Sequence, residues 1–178
     1  KKSLSFSLPD NSYSVKNSSS QLQLKAELPY QLTNRGGQLS LLDSEGSSIF
    51  ESEEPVTIYS EVEAELAQGC GIKLNDVVAG RSFHWRTELS ETLPGSIEVH
   101  CSGDFLELLN KVDFEDYVTC SFSAEMSAES PIEFCKAHMV AVRSWAYVFL
   151  SNKHPGCRYD VCNDDDCQRY RGTNDLNA

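Results

Sequence analysis

The chain has 178 residues, 40% of them apolar and 24% charged, which excludes wholesale disorder and a collagen-like repeat and supplies enough apolar side chains for a core. No stretch approaches 18 consecutive apolar residues, so no membrane-spanning helix is expected. Fifteen Lys and Arg against 27 Asp and Glu leave a formal charge of −12, which argues against a nucleic-acid binder, because such proteins carry a basic field.

The charge is uneven. Residues 1–130 hold nine basic and 21 acidic residues, the entire excess. Residues 131–178 hold six basic residues (Lys136, Arg143, Lys153, Arg158, Arg169 and Arg171) and six acidic ones. An anionic ligand is therefore best sought in this balanced last quarter. The chain opens on Lys1 with no apolar leader and reads as a mature or trimmed product. Its seven cysteines are an odd number, so they cannot all pair internally.

Residues 1–94 read as β structure. Leu4-Ser-Phe-Ser-Leu8 and Leu22-Gln-Leu-Lys-Ala26 alternate apolar and polar, Leu39-Ser-Leu-Leu42 does so more loosely, and Val56 to Val62 is the clearest strand. Turn signals separate them at Pro9-Asp10-Asn11, Asn34-Arg35-Gly36-Gly37 and Asp43-Ser44-Glu45-Gly46. Ser96 to Cys101 and Phe105 to Leu109 form a hairpin about Ser102-Gly103-Asp104. The period then changes: Val112, Phe114, Tyr117, Val118 and Phe122 fit a short helix.

Ser130-Pro131-Ile132-Glu133 reads as a capping box opening a helix that runs to about Asn152, before His154-Pro155-Gly156. Apolar residues occupy most of its circumference, which predicts a central, buried helix with a narrow polar sliver at Glu133, Ser144 and Ser151. The rest is loop, with Asp164, Asp165 and Asp166 exposed.

Several residue groups suit chemistry. On the long helix Lys136, Val140, Arg143 and Tyr147 share one stripe, so two cations about two turns apart could face one anion, or snorkel into solvent. Glu125, in Ser123-Ala124-Glu125-Met126, is either a general acid held among small residues or an exposed loop carboxylate. His154, Cys157, Cys162 and Cys167 fall within 14 residues, which suits a zinc clip, a disulfide or free thiols. His84, His100 and His138 have no partner at a readable spacing and read as structural histidines. No Gly-rich phosphate loop, Gly-x-Ser-x-Gly elbow or His-Glu-x-x-His motif is present.

Four ordered segments, Val112-Asp-Phe-Glu-Asp-Tyr117, Ser123-Ala-Glu-Met126, Lys136 to Trp145 and Tyr159 to Gly172, resemble the stage II sporulation protein D family (SpoIID/LytB, or amidase enhancer). The family pattern runs Leu or Phe-Glu-x-Tyr, Ser-Glu-Met, Lys-Ala-Gln/His-Ala-Val-x-x-Arg and Cys-x-x-x-x-Cys-Gln-x-Tyr-x-Gly, in this order. The resemblance implies an exported protein of the bacterial periplasm or cell envelope that acts on peptidoglycan glycan strands. Sporulation members are lytic transglycosylases that prefer strands stripped of stem peptides. Glu125 matches the catalytic glutamate, Lys136 and Arg143 the basic residues of the glycan site, and Gln168 and Tyr170 the Cys-Gln-x-Tyr motif beside it. Cys162 and Cys167, with His154, resemble a structural zinc set of some members, and no other cofactor is implied. His138 in place of Gln, and Trp145 after Arg-Ser, look like a branch outside spore formers, as does Phe83-His84-Trp85. Family members continue beyond the last motif with strands that close the cleft, so the C-terminal part of the domain is expected to be missing.

The expectation is thus an α+β protein: a β-rich module of unknown role over 1–94, and a SpoIID-type domain over 95–178 around one long buried helix. The leading function is a peptidoglycan lytic transglycosylase leaving 1,6-anhydro ends. One rival is a non-catalytic glycan-binding protein that stimulates a cell-wall amidase. The other is an envelope scaffold, in which Glu125, Lys136 and Arg143 point to different surfaces.

Overall fold

The computed structural model describes residues 2–26, 28–79, 84, 87–127, 129–150, 152–163 and 166–176. Phe83, Trp85, Ser151, Asp164 and Asp165, singled out above, lie outside the described residues. The strands are β1 (Ser3–Ser7), β2 (Tyr13–Lys16), β3 (Gln21–Gln23), β4 (Tyr30–Arg35), β5 (Gln38–Leu42), β6 (Ser48–Ser52), β7 (Val56–Ser60), β8 (Ile72–Ala79), β9 (Thr87–Leu93), β10 (Ser96–Ser102) and β11 (Phe105–Lys111). The helices α1 (Phe114–Glu125) and α2 (Ile132–Phe149) follow, so the chain is α+β with its β-rich part first.

The strands form two antiparallel sheets, in the orders β6-β5-β4-β1-β8-β9 and β11-β10-β7-β2-β3. Alternation decides the faces: β1 buries Leu4 and Phe6, β7 Val56 and Ile58, and β10 Ile97 and Val99. These side chains, with Val15, Leu32 and Ile72, form one core to which both sheets contribute, as in a sandwich. Each fully buried side chain of this kind stabilises by roughly 1.5–3 kcal/mol. Gly36 and Gly37, with φ of 64° and 98°, close the β4–β5 hairpin where Arg35 faces Gln38, a turn that needs two positive φ values.

β10 and β11, which sequence alone assigns to the C-terminal unit, complete the five-stranded sheet: Ile97 faces Ile58, and Val99 faces Val56. The boundary at 94/95 therefore falls inside a continuous sheet and core. Alternation reveals a strand and its inner face, but not which strand it pairs with.

α1 is capped by Asp113, whose carboxylate accepts from the Glu115 N–H at 2.8 Å, and it buries Tyr117, Val118, Cys120, Phe122 and Ala124. α2 departs from expectation twice. Its capping box does not form: Pro131 is the N-cap without a side-chain bond. The Ser130 N–H that Glu133 was expected to reach already donates to the Ser127 carbonyl at 3.1 Å, and Glu133 instead pairs with Lys136 at 2.9 Å. Nor is α2 a buried helix. Only Val142 and Ala146 are buried, while Ile132, Phe134, Val140, Tyr147 and Val148 are exposed, Tyr147 at 79%. α1 packs on one side, and an apolar circumference does not by itself supply neighbours for the other sides.

After α2 the chain returns to the sandwich along β9. Gly172 bridges Thr92 in parallel, and the Thr173 N–H donates to the Thr92 carbonyl at 2.8 Å. The Thr92 N–H donates to Asn174 Oδ1 at 2.6 Å, and the Thr173 hydroxyl donates to the Cys70 carbonyl at 2.9 Å. Gly172 sits at φ 56°, and a Cβ there would lie 2.0 Å from the Thr92 carbonyl oxygen. Gly172→Ala is thus expected to lower the unfolding free energy by about 1–3 kcal/mol, read in urea denaturation, and to speed exchange of the Thr173 amide.

Candidate functional site

Glu125 is the last residue of α1, where the Met126 N–H closes the helix on the Phe122 carbonyl at 2.9 Å. Its Oε2 lies 3.1 Å from Nε2 of His138 on α2, with the two side chains 27% and 19% exposed. The imidazole is held between Phe134, which stacks on it at 6.3 Å and 4°, and Phe122 at 5.7 Å. A carboxyl and an imidazole therefore face each other across the two helices, fixed by aromatic packing.

Two open cavities flank this carboxyl. One, of about 440 Å³, is lined by residues Ser123 to Ser127 together with Gln68, Arg169, Arg171, Asn174 and Asp175. The other, of about 420 Å³, is lined by Glu125, His138, Trp145, Asp166, Cys167 and Gln168, among others. The second carboxylates in these cavities are engaged: Asp175 accepts from Arg171 Nη1 at 3.1 and 3.2 Å, and Asp166 lies 3.3 Å from Lys153 Nζ.

The remaining residues expected at the site divide. Gln168 reaches it as a strut: its Nε2 donates to the Val142 carbonyl at 3.3 Å, and its Oε1 accepts from the Tyr117 hydroxyl at 3.2 Å. Tyr170 points into the core, stacked on Tyr117 at 5.3 Å and donating to Asn110 Oδ1 at 2.8 Å. Burial pushes the Tyr117 hydroxyl up to about 12 and raises that of Tyr170 further, so both are neutral at physiological pH.

Lys136 and Arg143 do not join Glu125. With Val140 and Tyr147 they form the solvent-facing stripe of α2, on the side away from His138 and Trp145. Lys136 pairs with Glu133, and Arg143 grips Glu115 through Nε at 3.2 Å and Nη2 at 2.5 Å. The geometry thus separates the three residues that the resemblance groups, the arrangement expected of a scaffold. What it brings to Glu125 instead is His138 and Arg169, both missed from sequence. The signal for His138 was a polar residue on the packed side of α2, beside Trp145; Arg169 occupies an unspecified position of the Cys-Gln-x-Tyr motif.

His154, Cys162 and Cys167 converge, with one ligand atom of each within 4.8 Å of the others. His154 Nε2 lies 3.2 Å from Cys167 Sγ, and the two sulfurs are 3.5 Å apart and unbonded. Two thiols and an imidazole at these separations supply three of the four ligands that a zinc ion takes. Cys157 is exposed and outside the group.

Residues 102–178 match the family model described as stage II sporulation protein, SpoIID, a family associated with the cell wall, in agreement with the resemblance read from the sequence. An uncharacterized protein of Brachyspira hyodysenteriae is 30% identical over 135 residues, which is 72% of this chain and 36% of that protein. The chain thus spans about a third of that relative's length. No solved structure matches it. Among the described residues, no helix is long and apolar enough to cross a membrane.

Glu91 of β9 lies buried, at 4% exposure. Desolvation raises its carboxyl above the ordinary 4.5, Arg171 opposing the rise and Asp175 adding to it. Below pH 4.5 both the folded and the unfolded chain hold this proton. As pH rises, the unfolded chain releases it first, and stability falls until the folded carboxyl has ionised too. Glu91→Gln is accordingly expected to raise Tm near neutral pH and to leave it unchanged at about pH 3.5, checked by thermal unfolding of both proteins across that range.

Proposed function

We propose that the SpoIID segment is the catalytic part of a peptidoglycan lytic transglycosylase, exported to the cell envelope, with Glu125 as its single acid–base group. The observation that carries this reading is the isolation of Glu125. Among the described residues, it is the one carboxyl of the two cavities that no Lys or Arg neutralises, and it is held by an imidazole instead.

Ordinary glycosidases need two carboxyl groups, one for the leaving oxygen and one for water or direct attack. A transglycosylase needs only one, because the nucleophile is a hydroxyl of the substrate. Protonated Glu125 gives its proton to the glycosidic oxygen as the bond from that oxygen to C1 of N-acetylmuramic acid breaks. The 6-hydroxyl of the same sugar then bonds to C1, and its proton returns to the Glu125 carboxylate. The products are a shortened strand and a 1,6-anhydro end; no water is consumed. His138 Nε2 holds Oε2 of the carboxyl group at 3.1 Å and leaves Oε1 for the substrate.

The separation of Lys136 and Arg143 from Glu125 favours a second, non-catalytic reading, either an envelope scaffold or a glycan-binding protein that stimulates a cell-wall amidase. One experiment distinguishes them. Mass spectrometry of denuded strands incubated with the protein should show anhydro-muramyl ends, and Glu125→Gln should reduce their rate of formation by about 10²–10⁴-fold. Binding without anhydro ends would favour the amidase partner, and ends released by Glu125→Gln at the wild-type rate would remove Glu125 from the chemistry.

His154, Cys162 and Cys167 are proposed to hold a structural zinc. They join both ends of the loop leading to Gln168, so a bound ion would brace one wall of the second cavity. Elemental analysis should find about one zinc per chain, and Cys162→Ser with Cys167→Ser should lose it and lower Tm.

A further inference from the structure

Helix α2 leaves an apolar face uncovered. Of the nine large apolar side chains exposed among the described residues, five stand on this helix: Ile132, Phe134, Val140, Tyr147 and Val148. Ile132, Val140, Tyr147 and Val148 are 59–79% exposed and run along one side of it over about 24 Å. Single apolar residues on a surface need no explanation, but a contiguous stripe of them marks a contact surface.

Charge decides what can cover that face. Residues 1–130 carry the whole excess of −12, so two copies meeting through the sandwich would bring acidic surfaces together. The α2 face is neutral by contrast, because Lys136 is paired with Glu133 and Arg143 with Glu115 of α1. An apolar face whose charges are already paired meets its own image without repulsion.

We propose that this face pairs with the same face of a second copy of the chain, α2 lying antiparallel on α2 about a two-fold axis through Val140. Such a contact is isologous, each copy offering the other the same residues. Counting outward from Val140, Ile132 falls opposite Val148 of the second copy, and Glu133 opposite its Tyr147. Lys136 and Arg143 fall opposite its Ser144 and Ala137, so the cations do not meet each other. Apolar groups thus cover apolar groups, and the Tyr147 hydroxyl is placed to donate to the Glu133 carboxylate. Ala137 and Ser144, small and exposed, let the two helices approach closely.

The pairing leaves both sites open. His138 and Trp145 lie on the side of α2 opposite Val140, so the Glu125 cavities of the two copies face outward. The proposal is therefore independent of the reaction assigned to Glu125. It accounts for an apolar circumference on a helix that its own chain packs on one side only. A contact confined to one helix pair is smaller than the roughly 1,600 Å² of a standard interface, so the dimer is expected to be weak and to dissociate on dilution.

The test is sedimentation velocity of the intact chain at rising concentration. The mass should move from 19.8 kDa toward twice that value and no further, since a two-fold contact closes on itself. Salt screens the repulsion between two chains of charge −12, so it should strengthen the association. Val140→Glu and Val140→Lys should each weaken it by about tenfold or more, because like charges then meet on the axis. An equimolar mixture of the two variants should recover it. Val62→Glu and Phe105→Glu, at exposed apolar positions elsewhere, should leave it nearly unchanged. A chain that stays monomeric, open-ended larger species, association that salt weakens, or a mixture no better associated than either variant alone overturns the proposal. So does a Tm lowered by Val140→Glu in dilute solution, which would mean that the face is covered within its own chain.

Discussion

Among the described residues, Tyr170 is the one side chain that packs against both the sandwich core and the apolar cluster of the helical pair. Its ring packs against the sandwich core and against the smaller cluster of Tyr117, Val118, Val142 and Ala146. Its hydroxyl donates to Asn110, whose own amide nitrogen donates to the Pro94 and Ser96 carbonyls at 2.8 and 3.1 Å. A partly buried aromatic ring with a satisfied hydroxyl fixes both distance and orientation, which an apolar contact alone does not. Everything at the site hangs from that wedge. Gln168 and Arg169 precede it, Gly172 to Asn174 follow it onto β9, and the two cavities lie on either side of the chain so positioned. The Tyr of the Cys-Gln-x-Tyr motif is thus a packing residue that ties the helical pair to β11.

The electrically balanced last quarter acquires a physical meaning once its pairs are resolved. Five of its cations neutralise carboxylates, two of them on the earlier elements α1 and β11, through Glu115 and Glu107. Exposed pairs of this kind contribute little to stability, typically under about 1 kcal/mol. Their effect is on availability: a paired arginine presents little net charge to a ligand. Net charge by segment thus reflects internal pairing as well as any surplus open to a ligand.

What was legible in the sequence follows from the range of the interactions concerned. Alternation and turn chemistry are local, so β1, β5, β7, β10 and the Gly36-Gly37 hairpin could be read directly, as could α1 from its apolar spacing. β2, β4, β6, β8 and β9 were covered only by the general assignment of residues 1–94 to β structure. Strand partnership depends on distant residues, and so the association of β10 with β7 was not readable. The same limit explains the site. Glu125 was found through a motif, but its partner His138 is 13 residues away on another helix, and Arg169 comes to the same cavity only through the fold. The capping box at Ser130 misled because a competing acceptor, the Ser127 carbonyl, takes the N–H that the motif requires.

The separation of Lys136 and Arg143 from Glu125 follows from how α1 and α2 are held together. The two helices are crosslinked at two points, Glu115 to Arg143 and Glu125 to His138, which run in opposite senses along the two chains and so fix an antiparallel register. Arg143 can serve that register only by reaching round α2 from its solvent-facing stripe to the start of α1. Rotating α2 to bring the stripe over Glu125 would break both crosslinks and expose Val142 and Ala146, the only side chains of α2 that are buried. The burial term alone, roughly 0.8 kcal/mol per CH₂ group, opposes such a rotation. Within this packing Arg143 positions the helix that carries His138 and is itself held away from Glu125.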